Sequence, residues 1–141
     1  MTDSPREAIL SANDAFYRAF ESLDLDRMRA IWAEHDAVSC VHPGWQPMSG
    51  REEVLASYET IFRNTERIHF EITDVRVHVG AELAVVTLVE NIESVSEDKS
   101  YKVSLPGTNV FQRNGAEWRI VHHHASPVAV APSIPPATVL H

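Results

Sequence analysis

The chain has a single cysteine, Cys40, in 141 residues. That excludes an intrachain disulfide and any Cys-x-x-Cys metal or redox motif. Cys40 sits in an apolar stretch, where a thiol more often fills space than reacts. Positive charge is scarce too: 12 Lys and Arg against 20 Asp and Glu leave a formal charge of −8. With no basic run and no basic amphipathic stretch, neither nucleic acid nor a membrane surface is an expected partner. Long apolar runs are missing as well, and none approaches the ~18 residues that span a bilayer. The N-terminal Met1-Thr2-Asp3-Ser4-Pro5 lacks the apolar centre of a signal peptide. A soluble, cytoplasmic protein is the expectation. There is no Gly-rich phosphate loop, no nucleophile elbow and no cluster of metal ligands, so no cofactor and no metal are expected.

What is present is a globular composition, 44% hydrophobic and 23% charged, on a length that suits one domain. Ser4, Pro5 and Glu7 read as a helix start: cap, first-turn proline, and an acid at the third helical position. Apolar residues follow at helical spacing from Ile9 through Phe16 and Phe20 to Leu23. Asp24 opens a second, shorter helix. Ala37 to Val41 reads as a short strand, and Pro43, Gly44 and Pro47 force a loop. Gly50 leads a third helix whose apolar face is Val54, Leu55, Tyr58, Ile61 and Phe62. From Ile68 the pattern changes to strands, over about 68–79, 83–94, 101–113 and 117–126. Pro106-Gly107 predicts a bulge or bend. Residues 1–127 read as the domain and 128–141 as a Pro-rich C-terminal tail.

Helices followed by an antiparallel meander mean an α+β fold with helices on one face of a curved sheet. Neither face of the later strands reads as polar. Strict alternation along the last strand puts Arg119, Val121, His123 and Ala125 on one face, and Trp118, Ile120, His122 and His124 on the other. A sheet with one wet face should alternate apolar and polar residues. A homodimer packing through Trp118, Ile120, His122 and His124 is therefore expected. The histidine run Val121-His122-His123-His124 thus divides, with His123 alone facing inward.

Three stretches carry a family resemblance: Val41-His42-Pro43-Gly44-Trp45 with Ser49-Gly50-Arg51, then Gly107-Thr108-Asn109-Val110-Phe111, then Trp118-Arg119-Ile120-Val121-His122-His123-His124-Ala125-Ser126. Over about residues 5–127 the chain resembles the SnoaL-like branch of the nuclear transport factor 2-like superfamily. The resemblance implies a cone: three N-terminal helices packed on a strongly curved, mixed but mainly antiparallel sheet, with a pocket between them. It implies no single activity, because this fold hosts many. Compared with ketosteroid isomerase, His42 takes the place of the general base. Asn109 takes the place of a protonated Asp that donates to an oxyanion. Phe16 takes the place of the oxyanion Tyr, with Tyr17 beside it. The association domain of calmodulin-dependent kinase is also similar over the last strands. Its inward arginines correspond to Glu90, Asn109 and Ala125, which places these three on the cavity side but without the arginines' carboxylate binding.

The candidate catalytic residues are therefore His42, Glu90, Asn109 and His123. Imidazole near pKa ~6.5 exchanges protons at neutral pH. A carboxyl at Glu90, among Val86, Leu88 and Ile92, needs a partner or a raised pKa. Asn109 offers two N–H donors and an acceptor. Tyr17, Trp32, Trp45, Tyr58 and Phe111 are the candidate substrate-binding residues, with Trp45 as a lid. Each also has a purely structural reading: His42 bracing the Pro43-Gly44 loop, His123 bonded to a backbone carbonyl, Asn109 bridging strands, the aromatics as core. The functional expectation is a small-molecule pocket protein with acid/base potential and a deep cavity reaching His42. The alternatives are a non-catalytic binding or dimerisation module and an oligomeric hub.

Overall fold

Ser4 caps the first helix, its side chain accepting the Glu7 N–H at 3.1 Å. In the computed structural model, which describes residues 4–129, this helix α1 runs Pro5–Ser22. It stops where Leu23 turns left-handed at φ 55° and returns its N–H to the Phe20 carbonyl. Its buried stripe is Ile9, Asn13, Phe16, Tyr17 and Phe20. Asp24 then caps α2 (Leu25–Ile31) by accepting from the Asp26 and Arg27 amides. The orphan carbonyls at the end of α2 are met by Arg51, whose guanidinium donates to Arg29, Trp32 and Ala33. Arg51 thereby ties α2 to α3 (Arg51–Arg63).

The strands are β1 (Ser39–Val41), β2 (Met48–Ser49), β3 (Arg67–Val79), β4 (Leu83–Ser96), β5 (Lys99–Asn114) and β6 (Glu117–Ala125). They form one sheet in the order β2-β1-β6-β5-β4-β3, with β1 parallel to β6 and the other pairs antiparallel. Three helices on a curved, mixed and mainly antiparallel sheet make the expected cone-shaped α+β fold. Strand β2, two residues long after the Pro43–Pro47 loop, has no counterpart in the sequence reading.

The bulge expected at Pro106-Gly107 is not there: the β4–β5 register runs unbroken past it, with Val89 opposite Pro106 and Leu88 opposite Gly107. The Pro106 carbonyl accepts from Ser126, just past the end of β6. An extended residue turns its N and O to the same side, so the missing N–H also falls where no ladder bond is due. Gly107 serves another purpose. A Cβ there would lie 3.2 Å from Leu88 Cδ1 and 3.3 Å from Glu90 Oε2. Glycine makes the room in which the Glu90 carboxyl sits.

Irregularities occur elsewhere. In β3 the register shifts between Thr73 and Arg76, around Asp74 at φ 53°. Against β5, His122 pairs with Val110 but Ile120 pairs with Phe111, leaving Val121 without an opposite residue. That one-residue bulge resets the alternation. Trp118 and Ile120, expected on a dimer face, instead belong to the core at 9% and 0% exposure. His123 and Ala125 join them on the concave face, while His122 and His124 remain on the convex one. The convex face is half-buried around Val85, Val89, Val110 and His122, and His124 is exposed. No helix of the described residues is long and apolar enough to cross a membrane.

Candidate functional site

Three adjacent strands deliver Glu90, Asn109 and His123 to the concave face, where they are 2%, 0% and 2% exposed. Asn109 and His123 are register partners. Helix α1 faces them with Asn13 and Tyr17, one turn apart. The Tyr17 hydroxyl donates to Glu90 Oε2 at 2.6 Å. Asn109 Nδ2 donates to Asn13 Oδ1 at 2.8 Å and to the Tyr17 oxygen at 3.1 Å. Asn109 Oδ1 lies 2.6 Å from His123 Nδ1. On its other side the His123 ring presents Nε2 to Glu90 Oε2 at 3.9 Å. The result is a closed polar cluster inside an apolar shell.

Burial sets the electrostatics. Desolvation raises the Glu90 carboxyl from 4.5 to about 7, against the opposing pull of the Tyr17 hydrogen bond. Desolvation, followed by repulsion from His42, His122 and His124, holds His123 well below the ordinary imidazole value. The Tyr17 phenol is pushed well above 10, first by burial and then by the Glu90 charge. At neutral pH, then, His123 is neutral and Glu90 is poised between its acid and its conjugate base. A carboxyl poised in this way can give or take a proton near neutral pH.

His42 stands apart from this cluster. Its Nε2 lies 2.9 Å from Ser57 Oγ, and the Ser57 hydroxyl donates to the Val54 carbonyl. His42 is therefore the donor to Ser57. Burial lowers it from 6.5 to about 4. Its ring packs edge-on against Tyr58 at 4.9 Å and Trp45 at 5.2 Å, and lies 6.2 Å from the His123 ring. Trp45, on a loop turned by Gly44 at φ 82°, is 41% exposed and caps His42 from outside. Tyr58 is fully buried, and its hydroxyl contacts the Cys40 sulfur at 3.7 Å. Burial pushes that thiol up to about 12, so Cys40 is inert filling. Trp32 is fully buried against Tyr58, with its Nε1–H unpartnered. Phe111 is fully buried two residues along β5 from Asn109.

The structure thus brings Glu90, Asn109, His123 and Tyr17 together and leaves His42 in a neighbouring compartment. The tyrosine that reaches the cluster is Tyr17; Phe16 instead packs on the His123 ring at 4.9 Å. Neighbouring helical positions differ by about 100° in direction, which separates their roles. Two participants, Asn13 and Ser57, escaped the sequence reading. Each is a polar residue on an otherwise apolar helical stripe, which was the available signal. The expected deep cavity is not open. Surface concavities of about 770, 340, 350 and 190 Å³ lie elsewhere, and none of these is lined by His42, Glu90, Asn109 or His123. Phe16, Tyr17 and Tyr58, all fully buried, fill the space between helices and sheet. Among the described residues, no group of three or more His, Cys, Asp or Glu could hold a metal ion.

Known proteins share this framework. A crystal structure of a candidate dehydratase of the NTF2-like family from Streptomyces avermitilis is 42% identical, with a TM-score of 0.82 over 88% of this chain and 96% of that one. A candidate calcium/calmodulin-dependent protein kinase type II association domain from Thiobacillus denitrificans is 32% identical, with a TM-score of 0.77 over 92% and 98%. The F-box protein SKIP8 of Arabidopsis thaliana is 30% identical over 124 residues, 84% of this chain. The chain spans about half of that relative's length, 49%. Residues 9–131 match the SnoaL-like domain, and the chain belongs to that family.

Proposed function

We propose that the Glu90–His123 pair is a cofactor-independent acid/base site for a small, uncharged, mostly apolar molecule bearing a carbonyl. The observation that carries this reading is the buried carboxyl, poised near neutrality and 3.9 Å from an imidazole nitrogen. Among the described residues the buried polar ones are Asn13, His42, Ser57, Glu90, Asn109 and His123, with no Lys or Arg. An anionic substrate would find no counter-charge there.

Loss of water from a β-hydroxy carbonyl compound suits the pair, and the 42% identical relative is named as a candidate dehydratase. Neutral His123 takes the proton from the carbon next to the carbonyl. The electrons of that C–H bond form the C=C bond as the C–O bond to the hydroxyl breaks. Protonated Glu90 gives its proton to the departing oxygen, and water leaves. The resulting imidazolium and carboxylate exchange a proton and restore the starting state. Tyr58 stands beside the route as a donor, and Trp45 swings aside to admit the substrate.

The test is deuterium uptake from heavy water next to the carbonyl in a panel of uncharged cyclic β-hydroxyketones, where reversal of the dehydration carries the label in. The wild type should exchange at least one, and Glu90→Gln should slow that exchange by about 10²–10⁴-fold. A folded wild type that exchanges none sets the reading aside. Opening the lid has its own readout: in Trp45→Ala the His42 pKa, followed by NMR, should climb from about 4 toward 6.5 as water reaches the ring.

One observation favours a second reading, a non-catalytic dimerisation module: the interior is closed while the convex face is half-buried without a partner. Either reading includes a homodimer through Val85, Val89, Val110, His122 and His124. Wild type should sediment as a dimer and Val110→Lys as a monomer. A higher, ring-like assembly would point to a hub instead.

A further inference from the structure

We infer that Asn13 is a positioning residue: acting through Asn109, it sets the tautomer of His123 and so leaves Nε2 bare toward Glu90. The inference uses the proposed acid/base site but concerns its resting state, which exists whether or not turnover follows.

A side-chain amide has one end that donates and one that accepts. The Asn109 amide meets Asn13 Oδ1 and the Tyr17 oxygen at one end, and His123 Nδ1 at the other. Tyr17 has a single proton, and that proton goes to Glu90 Oε2 at 2.6 Å. The Tyr17 oxygen is therefore an acceptor for Asn109. Asn13 offers Oδ1, a second acceptor, on the same side at 2.8 Å. Both neighbours call for the NH2 end of Asn109. The carbonyl end then faces His123, and a carbonyl can only accept. Neutral His123 must carry its proton on Nδ1, and Nε2 is left with a lone pair 3.9 Å from Glu90 Oε2.

Asn13 gives the closer of the two acceptors, at 2.8 Å against 3.1 Å for Tyr17. Tyr17 alone holds the amide less firmly, because its oxygen also carries the short bond to Glu90. Were Asn109 to turn over, its NH2 would face His123 Nδ1, which would then have to accept. The proton would move to Nε2, and the base would point the wrong way. Asn13 is 4% exposed, on a helical face whose other buried residues are Ile9, Phe16, Tyr17, Ala19 and Phe20. A bare packing role would be met there by leucine at lower cost.

The experiment is ¹⁵N NMR of the histidine rings at pH 7.5 on the full chain, which distinguishes the two neutral tautomers by the shifts and couplings of Nδ1 and Nε2. Wild type should show His123 as the Nδ1–H form, with its two nitrogens widely separated. An Nε2–H form in wild type overturns the inference without any variant. In Asn13→Leu, with Asn13→Ser as the less bulky alternative, the two nitrogen shifts should move toward each other as both tautomers become populated. A folded variant that keeps the pure Nδ1–H form also overturns it. Failure of the deuterium exchange with the Nδ1–H form intact would remove the catalytic reading and leave this inference standing.

Discussion

Glu90→Gln makes the protein more stable above neutral pH, by about 3 kcal/mol at pH 8.5, while removing the group on which the proposed chemistry depends. A carboxyl held at about 7 in the folded state and 4.5 when free binds its proton more tightly folded than unfolded. Its contribution is fully favourable below pH 4.5 and is lost as pH rises through 7. Once it is ionised in both states, the folded protein carries a cost of about 3 kcal/mol. Glutamine keeps an acceptor for the Tyr17 hydroxyl and never ionises. The gain should therefore shrink to less than half by pH 5.5 and vanish further down. His42 and His123 act in the opposite sense. Their folded values lie below the free one, so their cost appears as pH falls below about 6.5. They are common to both proteins and cancel in the comparison. Urea unfolding of wild type and variant between pH 5.5 and 8.5 measures the difference directly. A difference that does not change with pH would mean that Glu90 is not the poised group. A residue kept against a stabilising replacement of this size is what a functional carboxyl looks like in energetic terms.

The helix starts and the strand series were legible because local chemistry decides them. Ser4 with Pro5, and Asp24, cap helices by side-chain bonds that the sequence displays. The division of His122, His123 and His124 was legible too, since alternation within three residues does not depend on what lies further along. The fate of Trp118 and Ile120 was not. Their face is decided by the bulge at Val121, which arises from how β6 registers against β5, and nothing at Val121 itself announces it. Tyr17 was named as a candidate substrate-binding residue, but its bond to Glu90 was not legible. That pairing depends on how α1 is rotated over the sheet, a property of the packed core. His42 was placed correctly after its strand, yet its bond to Ser57 comes from α3, fifteen residues away. The closed interior was the least legible feature. A cavity is the space left after every side chain has been placed, and no single segment encodes it.

Asn109→Leu should cost about 3–4 kcal/mol, the largest loss expected from one substitution in the cluster. Leucine matches the volume but removes three hydrogen bonds at once. Asn13 Oδ1 and His123 Nδ1–H are left facing an alkyl group, and each buried orphan costs about 1–3 kcal/mol. The loss belongs to the partners more than to Asn109. That distinction is testable, because replacing His123 by leucine as well removes one orphan together with its need. In the Asn109→Leu background, His123→Leu should therefore cost at least about 1 kcal/mol less than it does in wild type. Denaturant unfolding of the two single variants and the double variant at pH 7.5 closes the cycle. If the two costs simply add, to within about 0.5 kcal/mol, then Asn109 and His123 are independent core residues. The bond at 2.6 Å would then do nothing to hold the ring. A clear positive coupling would show that the ring owes its setting to the amide, on the concave face where Glu90 meets it.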